Sequence, residues 1–206
     1  MRVLFYLLAI VLLTSCEKDE VEPTTPTVPV PVPVVDLNAH FFGTINGAQL
    51  ELTQNVQGYY GAAWQDYIIN LPNGEATYSF NMQSGEFLTA IEISHGSITW
   101  DASGGNNTPS LSAFNEFHSI DTLPSYTTGG INGFEISFID FSGNVWQSND
   151  MSPSFQTVKF SNVLQESDAT GDYSKFLCEF TCYVYNTGLN DSLLIENASL
   201  QGWFQY

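Results

Sequence analysis

From residue 40 to the end of the chain, apolar side chains fall on every second position in short runs, and Gly, Asn, Asp and Pro break the runs apart. No stretch of ten or more residues in this region carries them at helical spacing along an amphipathic face. Alternation with a period of two turns one face of an extended strand toward a core and the other toward water, so an all-β fold is expected. The clearest case is Phe176-Leu177-Cys178-Glu179-Phe180-Thr181-Cys182-Tyr183-Val184. Near the start, His40–Ile45 and Ala48–Leu52 flank Asn46-Gly47, whose tolerance of positive φ makes it the strongest two-residue hairpin signal. Further strands are expected at 66–71, 76–82, 87–94, 133–141, 145–148, 155–164, 173–186 and 192–206. Turns are expected at Pro72-Asn73-Gly74, Ser142-Gly143-Asn144 and Thr187–Asp191.

About ten strands with such short connections predict two packed antiparallel sheets, a β-sandwich of jelly-roll or immunoglobulin-like kind. Residues 101–131 break the rhythm. There Leu111, Phe114, Phe117 and His118 share helical spacing, which predicts one short helix capping an open end of the sandwich. Trp100, Trp146 and Trp203 are expected in the core. Cys178 and Cys182 lie four apart on one strand face, so their Cα atoms stand roughly 13 Å apart. That is too far for a disulfide, and both read as small core hydrophobes.

Ahead of this domain the composition changes twice. Met1-Arg2 and the apolar run Val3–Leu13 have the form of a signal peptide, and the run is too short for a bilayer span of about 20 residues. Leu13-Thr14-Ser15-Cys16 resembles the lipobox of bacterial lipoproteins, which implies cleavage after residue 15 and a diacylglycerol thioether on Cys16. The following Glu17-Lys18-Asp19-Glu20 is similar to the export signal that sends Bacteroidetes lipoproteins to the outer face of the outer membrane. Two or three acyl chains hold a protein firmly where one does not, since each buried methylene adds about 0.8 kcal/mol. Five prolines between Pro23 and Pro33 predict a polyproline II stalk spanning on the order of 30 Å. The expected organisation is therefore a signal peptide (1–15), a lipidated Cys16 with linker (16–37) and one β-domain (38–206).

Phe42–Gly47, Gly133–Ser148, Phe180–Asn186 and Ile195–Leu200 together resemble a broad group of Bacteroidetes lipoproteins of unknown function. This resemblance implies the fold and the compartment. It transfers no site residues.

The chain has a net charge of −18, and residues 38–206 hold seventeen acidic side chains against Lys159 and Lys175. Such a surface repels phosphate backbones, so nucleic acid is excluded as a partner. The expected partners are the membrane, through the lipid, and a glycan or an outer-membrane protein. There is no Gly-x-Ser-x-Gly, no His-Glu-x-x-His, no phosphate-cradling loop and no Cys/His cluster at metal spacing. His40, His95 and His118 fall on a strand, a turn and the short helix.

Tyr59, Tyr60, Trp64 and Tyr67 form the densest aromatic cluster, in a stretch with a poor strand pattern that reads as a loop. Exposed aromatic faces stack on sugar rings, which makes these four the candidate glycan-binding residues. Glu92, Glu135 and Glu179 lie within strands. Two of them in one cleft beside a Trp or Tyr would instead suggest a hydrolase with paired carboxylates. Asp101 and Asn106 in one loop, and Asp168 and Asp172 in another, are candidate oxygen ligands for a structural Ca2+. Asp121-Thr122-Leu123 and Asp191-Ser192-Leu193 resemble the Bacteroidetes O-glycosylation tripeptide, which places Thr122 and Ser192 in loops as acceptors.

Overall fold

A computed structural model describes residues 34–120, 122–128, 133–151 and 155–206. The signal segment, Cys16 and most of the proline stalk lie outside the described residues. The elements are β1 (His40–Ile45), β2 (Ala48–Thr53), β3 (Tyr59–Asn70), β4 (Asn73–Ser84), β5 (Ala90–Asp101), α1 (Leu111–Ile120), β6 (Phe134–Ile139), β7 (Val145–Ser148), β8 (Thr157–Asp168), β9 (Gly171–Asn186) and β10 (Asp191–Gln205). All strand ladders are antiparallel. Among the described residues the fold is thus antiparallel β with one short helix, as the strand alternation and the helical spacing at 111–118 predict.

The strands lie on one hydrogen-bonded path, β2-β1-β10-β9-β7-β6-β5-β4-β3, with β8 pairing β9 beside it. The sequence pattern predicts two separate sheets. Instead, the four-residue β7 links the two limbs, pairing β6 on one side and β9 on the other, where Gln147 meets Tyr185 and Ser148 meets Val184. One sheet curls on itself as a half-barrel, and the inner faces of its two limbs form the core. The strand itself is expected at 145–148, but its pairing with β9 joins residues 36 and 38 positions apart, which no local pattern shows.

The curl closes where β10 packs against β3 and β4. The ring of Phe80 on β4 meets Trp203 and Phe176 edge-on, with centroids 4.9 and 5.9 Å apart. Two glycines make room for these rings. A Cβ on Gly202 would sit 2.6 Å from Phe80, and a Cβ on Gly61 would sit 2.6 Å from Trp203. Aromatic pairs continue the packing between limbs, including Phe134 on Phe160 and Phe134 on Phe180. Cys178 and Cys182 are both fully buried on the inner face of β9, as expected of small core residues.

Local chemistry fixes the connections. Asn46 and Gly47 adopt φ of 46° and 80°, as the hairpin signal requires. The β6–β7 turn is organised by Asp140, whose Oδ1 accepts the backbone N–H of Ser142 and of Asn144. Its Oδ2 accepts from Asn144 Nδ2 and Trp146 Nε1. Gly74, expected in a turn, lies inside β4, where a Cβ would collide with the Trp100 ring at 2.3 Å. Val35 and Leu37 pack against the core, and Val35 N–H donates to Asp168 Oδ2 at 2.8 Å, so the chain enters the domain beside the β8–β9 turn. Among the described residues no helix is long and apolar enough to cross a membrane.

Helix α1 begins at Ser110, whose Oγ accepts the N–H of Ala113 as an N-cap. It turns Phe114 and His118 into the core. His95, expected in a turn, lies in β5 and is buried as well, and the two imidazoles come to 5.9 Å between centroids. Around His118 stand Phe204 (4.7 Å), Phe114 (4.4 Å) and Tyr78 (5.1 Å). Burial first, and His95 second, hold the pKa of His118 well below its ordinary 6.5. An unfolded chain takes up that proton near pH 6.5 while the folded one refuses it. Stability is therefore complete above about pH 6.5 and falls below it, with a limiting slope of ~1.4 kcal/mol per pH unit. The stability difference between wild type and His118→Phe, followed by urea unfolding from pH 7.5 to 5, isolates this effect from every other titrating group. The variant should gain on the wild type as pH falls, and a constant difference would contradict a buried neutral His118.

Candidate functional site

Limb β3–β7 carries on its outer face the side chains that the inner apolar set leaves behind. On β4, Tyr78, Phe80 and Met82 point inward, so Thr77, Ser79, Asn81 and Gln83 take the other face, where Ser79 is itself buried. On β5, Ile91, Ile93 and His95 point inward, so Glu92 and Ser94 point out. On β6, Phe134, Ile136 and Phe138 take the core, leaving Glu135 and Ser137 outside. Register aligns these residues in rows across the strands. One row runs Trp64, Ser79, Ser94, Glu135, with the two serine hydroxyls hydrogen-bonded at 2.8 Å. The next runs Ala62, Asn81, Glu92, Ser137, Gln147. Beside them Tyr60 lies opposite Gln83, which donates from Nε2 to the Tyr60 hydroxyl at 2.9 Å, and Asp66 lies opposite Thr77.

Glu92 and Glu135 occupy diagonal positions on adjacent strands, an arrangement that sets the residues about 7–8 Å apart. Gln147 Nε2 approaches Glu135 Oε1 at 3.4 Å. Partial burial, then the nearby charges of Glu135 and Asp66, push the Glu92 carboxyl up to about 7. At neutral pH this side chain divides its time between hydrogen-bond donor and anion. Such a group can give a proton to a ligand oxygen or accept a hydroxyl hydrogen.

The aromatic cluster is not a loop. Tyr59 to Tyr67 lie within β3, the last strand of the path, and alternation divides them between two faces. Tyr59 is buried against Phe87 and Tyr67 packs edge-on to Trp100 at 5.9 Å, so both serve the interior. Tyr60, 45% exposed, and the half-buried Trp64 share the outer face with Glu92 and Glu135. Glu179 is exposed on β9 of the other limb, opposite Lys159 of β8, and does not join the pair.

The remaining candidate residues have local roles. Asp101 Oδ1 accepts from the N–H and hydroxyl of Ser103, and Asn106 offers its carbonyl to Trp100 Nε1. Asp168 caps Thr170 through N–H and hydroxyl, and Asp172 accepts from Ser167 Oγ. Among the described residues no group of three or more His, Cys, Asp or Glu side chains is placed to hold a metal ion. Thr122 uses its carbonyl to accept the N–H of Phe160 on β8. Ser192, expected in a loop, is the second residue of β10 and pairs with Tyr185. His40 is on β1 and contacts Glu51 at 3.0 Å.

The sequence pattern alone does not single out Ser79, Asn81, Gln83 and Ser94. The signal was present in Thr77-Tyr78-Ser79-Phe80-Asn81-Met82-Gln83, where every outward residue is a hydroxyl or an amide. No family model, no curated protein and no solved structure matches the chain.

The carboxyl of Glu92 should titrate near pH 7 in a carbon-detected NMR titration, and Glu135→Gln, which removes a neighbouring negative charge, should lower that midpoint. A Glu92 midpoint between 4 and 5 in the wild type would contradict the arrangement.

Proposed function

We propose that the chain is a lipid-anchored lipoprotein of the outer membrane, facing outward, whose β-domain binds a glycan on the outer face of β3–β7. One observation carries the binding assignment. Trp64 and Tyr60 lie on the same sheet face as Asn81, Gln83, Glu92 and Glu135, so aromatic and apolar surface adjoins several hydrogen-bonding groups that differ in donor and acceptor character. A sugar ring offers both an apolar face and a rim of hydroxyls, and this combination answers both. The acidic surface favours a neutral glycan, since uronate or sulfate groups would meet Asp66, Glu92 and Glu135. The anchor assignment rests on Leu13-Thr14-Ser15-Cys16 and the acidic run with its lysine after it. The prolines from Pro23 to Pro33 would hold the domain off the headgroups.

The diagonal pairing of Glu92 with Glu135 favours a second reading, slow hydrolysis of the bound glycan. Inverting glycosidases use two carboxyl groups about 6.5–9.5 Å apart. Glu92 would give its proton to the glycosidic oxygen as the C–O bond breaks, and Glu135 would take a proton from the attacking water.

Affinity gel electrophoresis against a panel of neutral polysaccharides tests the binding reading. At least one should retard the protein, and Trp64→Ala should weaken that retardation about tenfold, or ~1.4 kcal/mol. Unchanged retardation by the Trp64→Ala protein would remove the face from consideration. Reducing ends that accumulate with wild type and not with Glu92→Gln would decide for hydrolysis over binding alone. For the anchor, Cys16→Ala should shift the protein from the membrane to the soluble fraction, and retention in the membrane would overturn the lipid assignment.

A further inference from the structure

The other limb holds a hollow that the β3–β7 face does not explain. It has a volume of about 800 Å3 and lies over β8, β9 and β10, walled by Leu123–Tyr126. Pockets of roughly 300–1,000 Å3 suit a small molecule or a short segment of a polymer. Register sets its floor: Thr157 faces Thr181, and Lys159, Glu179 and Ser199 form the row beside them. Hydroxyl groups dominate, Lys159 stands opposite Glu179, and Asp150 adds a second carboxylate to the lining.

Two features hold the hollow open. On β10 the pairing with β9 skips between Ile195 and Ala198, and Asn197 adopts φ of 49° there while its N–H donates to Thr181 Oγ1 at 3.2 Å. Bulges of this kind turn a side chain out of the ladder and recur beside binding sites. The wall is tied to the edge of β8 at two points. Phe160 N–H donates to the Thr122 carbonyl at 2.8 Å, and the Tyr126 hydroxyl donates to the Thr157 carbonyl at 3.0 Å. The concavity is therefore built into the fold.

An aromatic ledge leads out of it. Tyr183 and Tyr185 follow Thr181 on the same face of β9, with rings 6.5 Å apart, and the half-exposed Phe155 lies 5.6 Å from Tyr183. Tyr185 pairs with Gln147, and Gln147 reaches Glu135. Register thus places the floor of the hollow, the ledge on β9, the β7 joint and the row that ends at Trp64 on one face of the sheet. Crossing from β9 to β3 spans five strand spacings of about 4.8 Å, and Tyr185 to Glu179 adds six residues at about 3.3 Å, on the order of 40 Å in all.

We propose that the hollow is a second saccharide subsite and that Tyr183 and Tyr185 form the ledge between it and the β3–β7 face, so that the domain holds an extended neutral polysaccharide at two places and not a terminal sugar. This rests on the glycan reading of the β3–β7 face. Two linked contacts on one chain raise affinity without any new contact in either, because the second binding event becomes intramolecular.

The probes are a disaccharide and an octasaccharide cut from the neutral polysaccharide that retards the full chain most strongly in the affinity gel. Both are titrated calorimetrically against wild type, Trp64→Ala, the double variant Tyr183→Ala/Tyr185→Ala, and Thr181→Trp, which fills the hollow. Lys159→Ala/Ser199→Ala is the milder second variant of the hollow, and circular dichroism checks each fold. The octasaccharide should bind wild type at least tenfold more tightly than the disaccharide. The ledge variant and both hollow variants should remove that advantage and leave disaccharide binding intact, and Trp64→Ala should weaken both sugars. Equal affinity for the two lengths, or an advantage that survives in the ledge and hollow variants, overturns the two-place reading and leaves the β3–β7 face standing. Unchanged binding of both sugars by Trp64→Ala overturns the face itself, and with it an extended path between two places.

Discussion

The contact between Phe80 on β4 and the β10 backbone at Gly202 holds the two limbs of the sheet together, and the rest of the molecule depends on it. A strand path this long has no intrinsic reason to curl enough for its end strands to meet. Here the ring of Phe80 occupies the space a side chain at 202 would need, while Trp203 reaches over to Gly61 on β3. Aromatic rings meeting edge-on add roughly 0.5–1.5 kcal/mol beyond the area they bury, and each depends on the close approach that the glycines permit. Once the limbs are closed, the parity of every strand is fixed: residues in phase with Phe80, Ile93, Phe134 and Phe180 form the core, and the alternate set faces out.

That parity places the functional chemistry. Glu92, Glu135 and Trp64 have no sequence relationship, and they become neighbours because β3, β4, β5 and β6 are consecutive on the path and their registers match. A carboxyl brought beside two others and partly withdrawn from water ionises late, which turns an acidic surface residue into a group with protons to share. The same closure presents the hydroxyl floor of β8 to β10 on the other limb. Both surfaces lie on the outside of the curl, away from an aromatic core dense enough to exclude ligands.

Much of the fold was legible because strand parity is a local property. The Asn46-Gly47 hairpin, the buried cysteines of β9 and the four residues of β7 all follow from nearest neighbours in sequence. The misreadings share a different cause. Gly61-Ala62-Ala63 carries no apolar alternation, so the first half of β3 reads as a loop, yet the absence of a side chain at Gly61 is what the rings of Phe80 and Trp203 require. Gly74 reads as a turn residue because it follows Pro72 and Asn73, while its constraint is the ring of Trp100 opposite it on β5. His95 and His118 are buried by partners more than twenty residues away in sequence, among them Tyr78, Phe160 and Phe204, which no local pattern reveals. The site was half legible: the candidate acids and aromatics were named from composition, and only the register showed that Glu92, Glu135, Trp64 and Tyr60 belong together while Glu179, Tyr59 and Tyr67 do not.

The most direct measurement is the stability of Gly202→Val by guanidinium unfolding, compared with Gly47→Ala, where a Cβ meets no atom within 4 Å. If the Phe80 contact closes the sheet, Gly202→Val should lose about 1–3 kcal/mol, as overpacking of a close-packed core does, and more than the strained hairpin glycine costs. A Gly202→Val protein as stable as the wild type would contradict the closure on which both outer faces depend.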